Sequence, residues 1–230
     1  MKTTKRSSIE DAGSTIVRQS SSKPSEEVIH LLRKIARVRH EYEITKNLDL
    51  TGIVKPCGLE KYNGLAIVFE DFGGKSLNHF LAKNRPNLST FLNIAIQLVK
   101  TLGKLHERNI IHKDIKPLNI IFNSNDGQVK ITDFANASLL LQENQAVIHP
   151  HLLEGTLAYM SPEQTGRMNR PIDYRTDFYS MGVTLYEMLT GQLPFYAEDA
   201  IELIHYHWPS SQLLPIILSQ KSHQFCLILS

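Results

Sequence analysis

Apolar positions in this 230-residue chain recur with two different periods, separated by polar stretches. From Glu26 to Leu48, the residues Val28, Leu31, Leu32, Ile35, Val38, Tyr42 and Leu48 recur mostly at three- and four-residue steps, predicting an amphipathic helix. The same period runs from Leu88 to His106, with Leu88, Phe91, Leu92, Ala95, Leu98, Val99, Leu102 and Leu105 on one face and Ser89 as the N-cap. A third helix is predicted from Asp177 to Leu189, closed by Gly191 and Pro194. Short apolar runs at Ile53–Lys55, Leu65–Glu70, Ile120–Phe122 and Val129–Thr132 read as strands. Tyr62-Asn63-Gly64 is a turn before the second run, and Asp126-Gly127 closes a hairpin between the last two. Asp71–Gly74 breaks the pattern as a hinge. Residues 1–25, rich in Ser, Thr and basic residues, are expected to be flexible apart from a short strand at Ser14–Arg18. The order predicts an α+β fold: a strand-rich part with one helix, a hinge, then a mostly helical part.

Composition narrows the class. At 42% hydrophobic and 21% charged the chain is an ordinary globular sequence, and its net charge of +2 argues against a nucleic-acid or anionic-membrane partner. Cys57 and Cys226 lie far apart, with neither metal-ligand spacing nor a disulfide framework, so a reducing cytosol is the simplest setting. Neither a secretory signal nor an apolar run of roughly 20 residues is present, so the expectation is a soluble, cytoplasmic protein.

The chemistry concentrates in residues 112–135, HKDIKPLNIIFNSNDGQVKITDFA. Asp114, Lys116, Asn119 and Asp133 stand around two short apolar strands. Phosphoryl transfer needs this set: a carboxylate to orient a hydroxyl, a cation for phosphate, and hard oxygen ligands for magnesium. Taken singly, each would more often be a surface charge or a turn residue. Their order and flanking strands make chance a poor explanation. Here the sequence resembles the eukaryotic-type serine/threonine protein kinases, whose catalytic loop reads H-R-D-L-x-x-x-N and whose metal motif reads D-F-G. Lys113 replaces the arginine and Ala135 the glycine.

The resemblance implies a two-lobed, protein-kinase-like fold that transfers the γ-phosphoryl group of ATP to a Ser/Thr hydroxyl of a protein substrate in signal transduction. Asp114 is then the catalytic acid-base residue, Lys116 neutralises the transferred group, and Asn119 and Asp133 bind magnesium. Glu41 takes the glutamate position of the small-lobe helix; the alternative is a solvated charge on an amphipathic helix. Its lysine partner falls on Arg18, in Ser14-Thr15-Ile16-Val17-Arg18, with Lys23 as the fallback; arginine brings a broad fork in place of a point charge. Glu70 and Phe72 resemble the hinge that receives adenine, with Phe69 behind it, although Phe69 and Phe72 read equally well as core aromatics. Gly155 to Glu163, GTLAYMSPE, resembles the end of an activation segment. Thr156 then contacts the catalytic loop, Glu163 is the structural acid, and Asp177 braces the catalytic loop or caps its helix. Ser138 is the only hydroxyl side chain between Ala135 and Glu154, leaving few acceptors for an activating phosphate.

The stretch from Gly155 to Phe195 is most similar to the kinase domain that opens large bacterial hybrid Ser/Thr-histidine kinase signalling proteins, whose downstream modules are not in this chain. Expected divisions are a tail at 1–13, a partial small lobe at 14–72, a large lobe at 73–207 and a divergent tail at 208–230. Gly13 is the only glycine before Gly52, so no Gly-rich loop stands over the phosphates, and the chain reads as truncated at both ends. No arginine follows Arg175 to hold Glu163, and a buried carboxylate that loses its partner costs about 3–5 kcal/mol. Ala135 is expected to restrict the metal-binding loop where glycine would leave it free. The rival to an active kinase is a catalytically impaired kinase-like binding module, or a fragment without a stable fold.

Overall fold

The computed structural model describes residues 25–61, 64–140, 157–165 and 170–194. The strand expected at Ser14–Arg18 and the divergent tail lie outside these residues. Helix α1, Glu26–Thr45, opens with the Ser25 hydroxyl accepting the Val28 N–H, and Glu26 and Glu27 favour its positive end. It stops short of the expected Leu48, where Lys46 N–H caps onto the Tyr42 carbonyl. Val28, Leu31 and Leu32 remain exposed, while Ile44 near the far end of the helix, and Leu48 just after it, pack against the core. Strand β1, Pro56–Lys61, pairs antiparallel with β2, Leu65–Phe69, placing Leu59 opposite Ile67.

The strand expected at Ile53–Lys55 is displaced: β1 begins at Pro56, and Ile53 forms a single parallel bridge to Ile131. Ile131 N–H donates to the Gly52 carbonyl at 2.8 Å, and Val54 N–H donates to the Ile131 carbonyl at 2.9 Å. Gly52 permits this crossing, since a Cβ there would sit 1.8 Å from Thr101 Oγ1. The strand-rich part is thereby stitched to the helical part at Ile131.

Beyond the hinge, the two-residue strand β3, Lys75–Ser76, leads into the short helix α2, Leu77–Leu81. Helix α3, Leu88–His106, is capped by Asn87, whose side chain accepts the Thr90 N–H at 2.8 Å; the predicted cap Ser89 lies inside the helix. Ile94, Leu98, Leu102 and Leu105 form its fully buried face. Leu88, Leu92, Ile96 and Val99 face outward, so the predicted stripe divides. After α3, β4 (Ile110–Ile111) pairs with β7 (Ser138–Leu139), while β5 (Ile120–Phe122) pairs with β6 (Val129–Ile131) and with β3. Gln97 of α3 clamps the β5–β6 turn, donating to the Gly127 carbonyl at 2.8 Å and accepting the Val129 N–H at 3.0 Å. Helix α4, Arg175–Thr190, ends at Gly191, whose φ of +68° suits the left-handed cap. Together these elements form a small strand-bearing part and a larger helical part, with one apolar core joining Leu50, Ile53, Leu98, Ile115, Phe134 and Met188.

Asp177 does not cap α4, which starts two residues earlier with no side-chain cap. Its carboxylate is fully buried and accepts from His112 N–H at 2.9 Å, Lys113 N–H at 2.8 Å and His106 Nε2 at 2.9 Å. This ties α4, the end of α3 and the loop after β4 into one unit.

Two substitutions test this frame. Leu98→Ala empties a fully buried position and is expected to lower unfolding free energy by about 2–5 kcal/mol in urea titration, whereas exposed Leu92→Ala changes it by no more than about 0.5 kcal/mol. Asp177→Asn replaces an acceptor by an NH2 group facing a buried backbone N–H, and the same titration is expected to show a loss of about 1–3 kcal/mol.

Candidate active site

The loop between β4 and β5 has the polar side chains to form a site and the backbone bonds to hold it. Lys113 occupies the left-handed region at φ +65°, an unfavourable conformation for a residue with a Cβ. Bonds on both sides retain it: its N–H goes to Asp177, and its carbonyl accepts Gln164 Nε2 at 2.8 Å. The next residue, Asp114, is buried at 5% exposure. Its N–H donates to His112 Nδ1 at 3.3 Å, so Nε2 carries the ring proton and donates to the Thr132 carbonyl at 3.1 Å. The His112 ring also packs edge-on against Phe134, with centroids 4.7 Å apart.

Four predicted residues converge on this loop or beside it. Lys116 Nζ donates to both carboxylate oxygens of Asp114 at 2.9 Å. Asn119, at the end of a 3-10 turn (Pro117–Asn119), donates through Nδ2 to the Asp114 carbonyl at 2.9 Å and to its Oδ2 at 3.0 Å. Asn136, which the sequence reading missed, adds a longer bond from Nδ2 to Oδ2 at 3.4 Å. Among the described residues Oδ2 therefore receives three donors and Oδ1 one, Lys116. Asn119 spends its amide nitrogen on Asp114, which turns its amide oxygen the other way. Asp133 follows β6, is half-buried, and also adopts positive φ, at +61°.

Asp133 binds the Ala135 N–H at 3.4 Å, and Ala135 itself is not among the described residues with positive φ. In this conformation Ala135 therefore needs no glycine-like backbone. Glu41 reaches the same segment from α1, its Oε1 accepting the Phe134 N–H at 3.0 Å. Burial pushes its carboxyl above the usual range and the nearby Asp133 charge adds to this, against the lowering effect of that N–H. The neighbouring His40 Nε2 lies 2.6 Å from the Ala137 carbonyl, making a second α1 contact with the segment. Glu41 therefore faces the Asp133 segment and is not a solvated charge. Arg18 and Lys23, its expected partners, lie outside the described residues, as does Thr156.

Glu163 departs from its expectation. It is half-buried rather than buried, and its Oε1 accepts the Thr176 hydroxyl at 2.7 Å. Thr176 in turn accepts from the buried Ser161 hydroxyl at 3.3 Å. The carboxylate has a neutral partner and access to water, so the penalty for an orphaned buried charge does not arise. Gln164, also missed in the sequence, is the residue that joins this segment to Lys113. In the hinge, Phe72 is not a core aromatic: its ring lies 4.5 Å beneath Lys130 Nζ, and its carbonyl accepts Asn123 Nδ2 at 2.8 Å. A lysine amid the apolar residues of β6, all buried, was the available signal for this contact.

These side chains can orient a hydroxyl at Asp114, place a cation beside it, and offer oxygen ligands from Asn119 and Asp133. Among the described residues there is no cluster of three or more His, Cys, Asp and Glu side chains suited to a metal by themselves, so a metal here needs oxygens from elsewhere. Among the described residues no helix is long and apolar enough to cross a membrane.

Comparison with known proteins agrees with this geometry. The family model described as protein kinase domain matches residues 8–224. The serine/threonine-protein kinase PrkC of Bacillus subtilis is 33% identical over 177 residues, covering 75% of this chain and 26% of that protein. A probable serine/threonine-protein kinase of Clostridium perfringens, CPE1738, is 31% identical over 189 residues, covering 81% of this chain and 27% of the relative. A probable serine/threonine-protein kinase of Corynebacterium efficiens, CE0033, is 37% identical over 142 residues, covering 61% and 21% respectively. The chain thus spans about a quarter of the length of these curated relatives. The braced Asp114 loop, the Asp133 segment that Glu41 meets and the family match together place this chain in the protein kinase domain family, among kinases of the eukaryotic serine/threonine type.

Proposed function

We propose that this chain transfers the γ-phosphoryl group of ATP to a serine or threonine hydroxyl of a protein substrate. The observation that carries the reading is the Asp114 carboxylate, buried and held by Lys116 and Asn119, with Oδ1 less encumbered than Oδ2. Asp114 orients the acceptor hydroxyl and receives its proton as the oxygen–phosphorus bond forms and the bond to the ADP oxygen breaks. Lys116 neutralises charge on the group in transit. The Asn119 amide oxygen and the Asp133 carboxylate are hard donors that fit magnesium, which retains water and shares its coordination with phosphate. Bound there, magnesium supplies further neutralisation of the phosphate oxygens. Glu70 N–H is committed to the Lys55 carbonyl at 3.0 Å and the Phe72 carbonyl to Asn123, so the Glu70 carbonyl and the Phe72 N–H are the groups offered to an adenine.

The similarity to serine/threonine-protein kinases of Bacillus subtilis and Clostridium perfringens supports protein hydroxyls as the substrate class. The GTLAYMSPE-to-LPF stretch further supports a place at the head of a hybrid signalling protein.

Purified chain incubated with radiolabelled ATP, magnesium and a mixed Ser/Thr peptide pool is expected to transfer phosphate. Asp114→Asn is expected to lower the rate by about 10²–10⁴-fold with its thermal melt retained. Asp133→Asn is expected to abolish magnesium-dependent nucleotide binding in calorimetric titration. Equal transfer by wild type and Asp114→Asn, or no transfer by wild type, would contradict the reading.

A further inference from the structure

Lys130 is a buried cation outside the catalytic loop, to which the mechanism above assigns nothing. It occupies the middle of β6, between Val129 and Ile131, and all three residues are buried. An ammonium in such a place needs an anion, a π-face or both. It has both: Nζ donates to Glu70 Oε1 at 2.6 Å and stands 4.5 Å from the Phe72 ring centroid. The same Glu70 oxygen accepts the Lys55 N–H at 2.9 Å, which fixes the carboxylate against the segment leading into β1. From the end of β5, Asn123 Nδ2 holds the Phe72 carbonyl at 2.8 Å.

The hinge is therefore pinned from beneath at three points by one hairpin: the Glu70 carboxylate, the Phe72 ring and the Phe72 carbonyl. The outgoing strand of that hairpin reaches Asp133 three residues after Lys130. Two ends of one proposed ligand are thus set by the same strand, the base end through Lys130 and the phosphate end through Asp133. An ion pair made only to stabilise the fold would not need to engage both residues of the hinge that offer backbone to a base.

We propose that Lys130 is a positioning residue for nucleotide binding, holding the Glu70–Phe72 backbone at a set distance from Asp133 so that base and phosphates are engaged together. This rests on the nucleotide reading above. Lys130 touches neither the base nor the phosphates. Its loss leaves the phosphate end intact and lets the hinge shift.

The test compares two probes on the full chain by isothermal titration calorimetry with magnesium: ATP, and inorganic tripolyphosphate, which has no base. Lys130→Met and Glu70→Gln are each expected to weaken ATP binding roughly tenfold while tripolyphosphate changes by less than about twofold. The double variant is expected to bind ATP no more weakly than Lys130→Met alone, since the Glu70 contact is already lost there. Lys130→Arg, which can pair with Glu70 and stack on Phe72, is expected to recover most of the affinity. Parallel weakening of both probes, or unchanged ATP affinity, would overturn the positioning role and reduce Lys130 to a stabilising ion pair. If Lys130→Met does not melt cooperatively, the milder Glu70→Gln and Lys130→Arg decide by the same ratio of probes. Wild type that binds tripolyphosphate but not ATP, or neither, would overturn the nucleotide reading itself, a result distinct from variants that match a wild type binding both.

Discussion

One buried carboxylate holds the site together. Asp177 receives two consecutive backbone N–H groups and a histidine ring, at a position with no exposure to water. Its importance comes from what those N–H groups would otherwise do. A loop that presents Asp114 inward cannot also satisfy His112 and Lys113 through a strand ladder, and unpaired buried amides are costly. Asp177 supplies both acceptors at once. It also lets Lys113 remain at positive φ, a conformation that persists only where the surroundings over-determine it. Gln164 completes that condition from the other side of the residue.

From this anchor the order passes along a chain of backbone bonds to the second acid. Thr132 N–H donates to the Asn119 carbonyl at 2.9 Å, and the Thr132 carbonyl accepts the His112 ring. Asp114 and Asp133, 19 positions apart in sequence, are therefore braced by the same three residues. Asp133 shares the positive φ of Lys113, so both turns that present acids are strained and both are tied to His112 or its neighbour. Glu41 reaches this unit from α1 through the Phe134 amide, and His40 through the Ala137 carbonyl, so two links carry the orientation of α1 to the acid segment.

The convergence of Asp114, Lys116 and Asn119 was legible in the sequence because their spacing is local: they lie within six residues, and nothing distant is needed to read them. The α+β order and the two-lobed kinase fold followed from the same motifs and from strong periodicity, and the long helix α3 runs where its pattern placed it. Which face of α3 is buried was less legible. Leu88, Leu92 and Val99 share the period of Leu98 and Leu102, but periodicity identifies an apolar helix and not its partners. The N-cap slipped by two residues because Asn87 and Ser89 are both good caps, and only the geometry of the Thr90 amide chooses between them. Strands β3, β4 and β7 have two residues each, too few to show alternation. Lys130 between Val129 and Ile131 was a weak signal, since a lysine in a strand reads as an outward residue until the hinge beneath it is seen.

Helix α4 serves as the common reference for the two segments that a substrate would meet. Asp177 in its first turn holds the catalytic loop, and Thr176 beside it holds Glu163. One turn on, Ser180 donates to the Tyr159 carbonyl at 2.7 Å, and near the far end Glu187 accepts the Tyr159 hydroxyl at 2.5 Å. The 157–165 segment is thus fixed to the helix that fixes Asp114, and Gln164 closes the triangle by bonding directly to Lys113. Among the described residues, the hydrogen-bond partner of Glu163 is a hydroxyl and not an arginine. Its task here is to hold a hydroxyl on α4, and a half-hydrated carboxylate accepting from Thr176 does this without a buried counter-charge. The register between segment and helix is thus kept by a neutral hydroxyl donor on α4 rather than by an ion pair.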